Sequence, residues 1–252
     1  MTEYQAPLFF RNGHRQSIYP TIFRKVKGVH YRRQKITTPD DDFLDLDWVS
    51  AKSDKLVVIS HGLEGNSQRA YVKGMVKAVT DAGFDALAWN FRGCGGTINR
   101  QPCDLKAGSK QIGKPGNQIY MKRFLRLLHE KIKAKKPAFP DLFDDRDYKL
   151  IKNFHDFDNR YTAPIHGFID ADDYWHQCSS KQFLNNIHVP TLMVSALDDP
   201  FLAQACYPFT ECAANPHLTL ETPKHGGHVG FVTFNRDKRY WSEERCIKFL
   251  KG

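Results

Sequence analysis

A chain of 252 residues with 41% apolar and 13% aromatic content is long enough to bury one sizeable core, which excludes a disordered tail, a fibre or a small disulfide-stapled scaffold. The net charge of +9 is concentrated: Lys106 to Lys136 holds ten Lys or Arg against one acid, Glu130, so the rest of the chain is balanced and the basic excess is a weak argument for nucleic acid. No apolar run is long enough to span a bilayer, and MTEYQAPLFFRNGHRQ lacks the apolar stretch of a targeting signal.

Six cysteines (Cys94, Cys103, Cys178, Cys206, Cys212, Cys246) show no CxxC spacing and read as buried, reduced thiols of a cytoplasmic protein. In chain order, His30–Ile36 and Phe43–Trp48 are two strand-like runs around a Pro/Asp turn. The second alternates apolar and acidic residues, as expected of a hairpin with one wet face. Lys55–Ser60 is a continuous apolar run without alternation, the pattern of a strand covered on both faces of a parallel sheet. A helix is expected from about Gln68 to Ala82, capped by Asn66 or Ser67 and stopped by Gly83, with the next strand over Phe84–Trp89. Strand, helix and strand in this order make a βαβ unit and imply an α/β fold.

Gln118–Lys136 repeats its apolar residues at helical spacing, and its basic face is read as solvated or as facing an anionic membrane surface. The stretch to His188 is aromatic and weakly periodic, so 106–188 reads as a partly helical, cap-like insertion in a single domain spanning 1–252. Pro190–Ala196 and His217–Glu221 return to strand patterns, and Tyr240–Lys251 closes the chain as an amphipathic helix.

Three loops follow strands, where open α/β sheets gather their chemistry. His61-Gly62-Leu63-Glu64-Gly65 is either a tight turn or an anion cradle, with the Leu63 N–H as an oxyanion donor. In Ala196-Leu197-Asp198-Asp199-Pro200, a carboxylate either caps the following helix or orients an imidazole. His225-Gly226-Gly227-His228 offers a general base near the chain end, or less plausibly metal ligands without a convincing third partner. An acid followed 29 residues later by a His, each after its own strand, has the chain order of a hydrolase triad.

These motifs (HGLEGNSQRAYVKGM, WNFRGCGG, FHDFDNRYTAPIHGFIDADDYW, ALDDPF and HGGHVGF) together resemble the YheT-like branch of the α/β-hydrolase superfamily, from about Phe10 to Phe249. The resemblance implies an α/β-hydrolase fold, with a mostly parallel central sheet, helices on both faces and an inserted cap. It implies hydrolysis of a small-molecule or lipid-like carboxylic ester by a Ser-Asp-His triad without a cofactor. Asp199 would be the triad acid, with Asp198 its rival, His228 the base and Leu63 an oxyanion donor.

The chain departs from the family pattern in one place. A strand, a GFSLGGN-type elbow, a helix and a further strand are expected between the NFRGC loop and Pro102-Cys103-Asp104-Leu105, but Asn99-Arg100-Gln101 runs straight into Pro102. Roughly two βα units of ~30 residues each are missing, so the central strands are expected to be deleted near residue 101. No GxSxG occurs in the chain. Ser60, Ser67, Ser109 and Cys94 all lack the strand-to-helix elbow that exposes a nucleophile. The printed chain is therefore expected to be inactive, and the alternative is a pseudo-hydrolase serving as a binding protein. Nucleic-acid binding through Lys106–Lys136 is not expected, because no recognition module accompanies the charge.

Overall fold

The computed structural model describes residues 3–101 and 110–252. Ser109, Cys103 and the far side of the Gln101–Pro102 junction lie outside them. The hairpin forms as β1 (Arg32–Thr37) and β2 (Phe43–Val49), antiparallel with Arg33 opposite Asp47. β3 (Leu56–Ser60) lies parallel to β4 (Asp85–Asn90), and β4 pairs antiparallel with β2, giving the order β1-β2-β4-β3. A separate two-stranded parallel sheet joins β5 (Thr191–Val194) to β6 (Leu218–Glu221). Together the strands make a mixed α/β architecture, and the pairing of β3 and β4 carries the expected βαβ unit.

The face expected to be wet is not. Asp45 and Asp47 on β2 are buried on the side of the sheet shared with Ala86, Ala88 and Asn90. Asp47 is held by Arg33 at 2.7 Å, by the Ser67 hydroxyl at 2.5 Å and by the Asn90 amide at 3.0 Å. Burial pushes its carboxyl upward, but the bonds from Arg33, Ser67 and Asn90 outweigh that and leave it below the ordinary carboxylate value. Ser67 therefore serves Asp47 and caps nothing.

Helix α2 begins later than expected, spanning Ala70–Asp81, and Asn66 instead makes a turn by accepting the Gln68 N–H at 3.1 Å. Val72, Val76 and Val79 of α2 pack on Ile59, Ala86 and Ala88, so one face of the four-stranded sheet is covered. The other is open at β3. Leu56 and Val58 are exposed, contrary to a strand buried on both faces, because α2 packs only on the opposite face, which carries Val57 and Ile59. All four residues of β5 are likewise only partly buried.

One helix has no counterpart in the sequence reading. α1 (Gly13–Phe23) is capped by Asn12, whose side chain accepts the Arg15 N–H. Gly13 at its start and Pro20 within it break the periodicity by which helices are recognised. Arg24, just beyond its end, forms a buried ion pair with Glu243 at 2.6 Å and so ties α1 to the last helix, Trp241–Lys251.

α3 (Gln118–Lys135) and the short helices between residues 154 and 178 enclose a second core of Met121, Leu125, Leu128, Phe143, Phe154 and Phe157. The basic face of α3 is not simply solvated. Lys131 pairs with Glu64 at 2.8 Å, Lys136 with Asp145 at 2.5 Å, and buried Lys135 donates to the carbonyls of Asn99 and Gln101. All five described cysteines are free thiols, but none is fully buried: Cys94, Cys212 and Cys246 are partly buried, and Cys178 and Cys206, at helix ends, are exposed.

Candidate active site

The loop after β3 is built on His61. Its Nδ1 is 2.8 Å from the Gly62 carbonyl and its Nε2 accepts the Phe91 N–H at 3.0 Å, so the ring is neutral with its proton on Nδ1. Burial lowers its pKa, and nearby Lys131 reinforces that. His61 thus clips the β3 loop to the β4 loop. The Tyr71 hydroxyl accepts the Gly62 N–H at 2.8 Å, and the Gly65 N–H closes the turn on the Gly62 carbonyl at 2.9 Å. Between these anchors, among the described residues, the Leu63 N–H meets no hydrogen-bond acceptor.

The two aspartates after β5 separate cleanly. Asp199 Oδ2 lies 2.9 Å from His228 Nδ1, while Asp199 Oδ1 accepts the Phe201 N–H at 2.7 Å. Asp198 turns instead to His225, with Oδ2 at 3.2 Å from Nδ1, and its Oδ1 accepts the Gly227 N–H at 2.8 Å. Asp199 is buried while its imidazole partner is half-exposed. Because Nδ1 faces the carboxylate, Nε2 faces outward, where it meets no described hydrogen-bond partner. The Phe201 ring packs 4.5 Å from the His228 ring. Leu63 and Phe201 pack against the same hydrophobic core, so the loops after β3 and β5 meet the helical region together.

The loop carrying His228 is held under strain. Gly226 and Gly227 are followed by Val229 and Phe231 at φ 51° and 44°, a region that a β-branched residue enters at a cost of about 1–3 kcal/mol. Helix α1, missed in the sequence, helps to hold this loop. The Ser17 hydroxyl accepts the His228 N–H at 2.8 Å and donates to the Gly13 carbonyl at 2.7 Å. Gly13 abuts the Asp198 carbonyl so closely that a Cβ there would collide with it. The Gln16 amide accepts the Val232 N–H at 2.9 Å and donates to the Tyr4 hydroxyl.

None of the described nucleophile candidates is paired with His228. The Ser60 hydroxyl accepts from the Trp89 indole at 2.5 Å, Ser67 is bound to Asp47, and Cys94 Sγ lies 3.3 Å from Lys131 Nζ. Among the described residues, no three His, Cys, Asp or Glu side chains cluster as a metal site would require.

No family model matches the chain. Among curated proteins it is similar to YheT of Escherichia coli, a proposed esterase, at 29% identity over 96% of this chain and 91% of that one. It is also similar to the phospholipase ABHD3 of Mus musculus, at 23% identity over 81% of this chain and 67% of that one. The alignment with YheT runs over 310 residues against the 252 of this chain, so at least 58 of its positions (310 less 252) have no counterpart here. Among solved structures, an esterase of Pyrococcus furiosus superposes with a TM-score of 0.51 at 18% identity, covering 90% of this chain and 95% of that one. The chain thus shares the α/β-hydrolase fold of that esterase, and by its sequence it is similar to YheT.

Proposed function

We propose that this chain is the acid–base and oxyanion portion of a serine hydrolase acting on carboxylic esters with lipid-like acyl groups. The observation that carries the reading is the Asp199–His228 pair at 2.9 Å, with the outward Nε2 positioned to take a proton. In this reading a serine Oγ loses its proton to Nε2 as it attacks the ester carbonyl carbon. Asp199 steadies the imidazolium, and the Leu63 N–H stabilises the oxyanion. The protonated His228 then returns its proton to the departing alcohol, and water releases the acyl group by the same steps. The segment 106–188, helical over much of its described part, acts as the cap. Within it Phe154, Met121 and Trp175 line a cavity of about 450 Å³, and the Phe124 ring stands between Phe154 and Phe201, offering a place for the acyl chain.

The serine itself would reside in a segment between Gln101 and Pro102 that the chain lacks. Two findings support this: β3 ends its sheet while β5 and β6 form a separate one, and the YheT alignment has a surplus of at least 58 positions. The chain as it stands is then expected to be inert, and the absence of GxSxG equally favours a second reading, a binding protein that retains the pocket without turnover.

Grafting the corresponding YheT segment between Gln101 and Pro102 separates the two. A fluorophosphonate probe is expected to label the grafted protein and to leave the ungrafted chain untouched. A folded graft that takes no label would overturn the esterase reading, and labelling of the ungrafted chain would overturn the missing nucleophile.

A further inference from the structure

A group of exposed apolar side chains outside the site lies near the N-terminal end of the described chain. Leu8 and Phe9 are 76% and 80% exposed, Ile22 and Phe23 61% and 64%, and Phe234 65%. Ring contacts connect part of this group. The Phe10 ring packs against Tyr19 at 4.8 Å and Phe234 at 5.6 Å, and Tyr19 packs against Phe23 at 5.1 Å. The Arg15 guanidinium donates to the Phe9 carbonyl, joining the turn at Leu8–Phe10 to α1. Along α1 the exposed residues Arg15, Ile18 and Ile22 recur at helical spacing, while Gly13 and Gln16 face inward.

A monomeric surface seldom exposes so many large apolar side chains together without a partner. The rim indicates which partner. Residues 5–27 contain five Lys or Arg and no acid, with Arg11, Arg15, Lys25 and Lys27 exposed along the same segment, and exposed Arg236, Asp237 and Lys238 follow Phe234 in the chain with one further net positive charge. Aromatic and aliphatic residues within a basic margin match the boundary between acyl chains and anionic headgroups. Among the described residues no helix is long and apolar enough to cross a membrane.

We propose that the Leu8–Phe10 turn, the outer face of α1 and Phe234 form a docking surface for an anionic lipid interface. The inner face of the same helix holds the His228 loop through Ser17 and Gly13, so the docked side adjoins the base. The surface itself does not depend on the esterase reading, because it needs no nucleophile. It also moves the membrane contact away from α3, whose Lys131, Lys135 and Lys136 are engaged inside the fold.

Cosedimentation of the whole chain with vesicles tests this. Phosphatidylcholine vesicles containing about 30% phosphatidylglycerol are expected to bind the protein, and pure phosphatidylcholine vesicles to bind it far less. The double variants Leu8→Ser/Phe9→Ser and Ile22→Ser/Phe23→Ser should each weaken binding about tenfold or more, whereas Arg123→Gln/Arg126→Gln on α3 should leave it unchanged. Should a double variant fail to fold by circular dichroism, Phe9→Ser and Phe234→Ser as single changes read the same effect. The proposal is overturned if anionic vesicles do not bind, if the N-terminal variants bind as well as the parent, or if the variants instead turn a dimer into a monomer with vesicle binding unaltered.

Discussion

His228 Nδ1 stands 2.9 Å from Asp199 Oδ2, and this pairing sets the two adjacent aspartates apart, since Asp198 is taken up by His225 and the Gly227 amide. In a serine-bearing version of the protein, Asp199→Asn is expected to lower kcat by about 10³–10⁴, because the imidazole loses the partner that fixes its tautomer and steadies its charge. Asp198→Asn keeps the shape of the loop and is expected to lower kcat less than about tenfold. Steady-state kinetics on a p-nitrophenyl ester compares them. A larger loss at Asp198 would reverse the assignment.

Ser17 acts on His228 through its backbone amide. Ser17→Ala leaves that N–H without its side-chain acceptor, and the expected stability loss is at most about 1 kcal/mol by urea unfolding. A merely structural effect would stop there. Loosening of the base loop should also speed hydrogen exchange at the His228 amide, and Ser17→Thr, which keeps the hydroxyl, should restore protection.

His61 predicts a pH dependence. Its folded pKa is lowered by burial, so the unfolded chain binds the proton more readily than the folded one. The stabilisation it provides is therefore complete above the unfolded value of about 6.5 and declines as the pH falls from there toward the folded value. Protonation would also remove the acceptor for the Phe91 N–H. Titration of the ring by NMR should give a midpoint below about 6.5 with the neutral proton on Nδ1; a raised midpoint would contradict the clip.

Lys135 is a buried cation whose ammonium is satisfied by the carbonyls of Asn99 and Gln101. Lys135→Ala is expected to destabilise the fold by about 1–3 kcal/mol, since those acceptors are left in a closed site. Arg123→Gln and Arg126→Gln should fall within about 0.5 kcal/mol of the parent. Thermal unfolding of the three variants gives the comparison, and equal effects would return α3 to a simple solvated face.

Every described strand was legible in the sequence within a residue or two, because continuous and alternating apolar runs mark extended chain even where they misstate which face is covered. The loops that carry Leu63, Asp199 and His228 were legible for a different reason: each follows a strand in chain order. The burial of Asp47 was not legible, because it depends on Arg33, Ser67 and Asn90 arriving from three other elements. Nor was α1. Its Gly13 and Pro20 suppress the helical pattern, and its reason for being there is tertiary, since Gly13 must abut Asp198 and Ser17 must meet the His228 amide. The Asn12 cap was the one local signal that could have marked its start. The open face of β3 escaped as well, because Leu56 and Val58 spell a buried strand whatever covers them.

Ester turnover by the grafted protein, measured beside its His228→Ala variant, tests the central claim most directly. The account predicts a p-nitrophenyl ester hydrolase whose kcat falls by a factor of about 10³ or more when the imidazole is removed, with the ungrafted chain at the solvent rate. A grafted protein that folds, binds the ester and hydrolyses it equally well without His228 would contradict it.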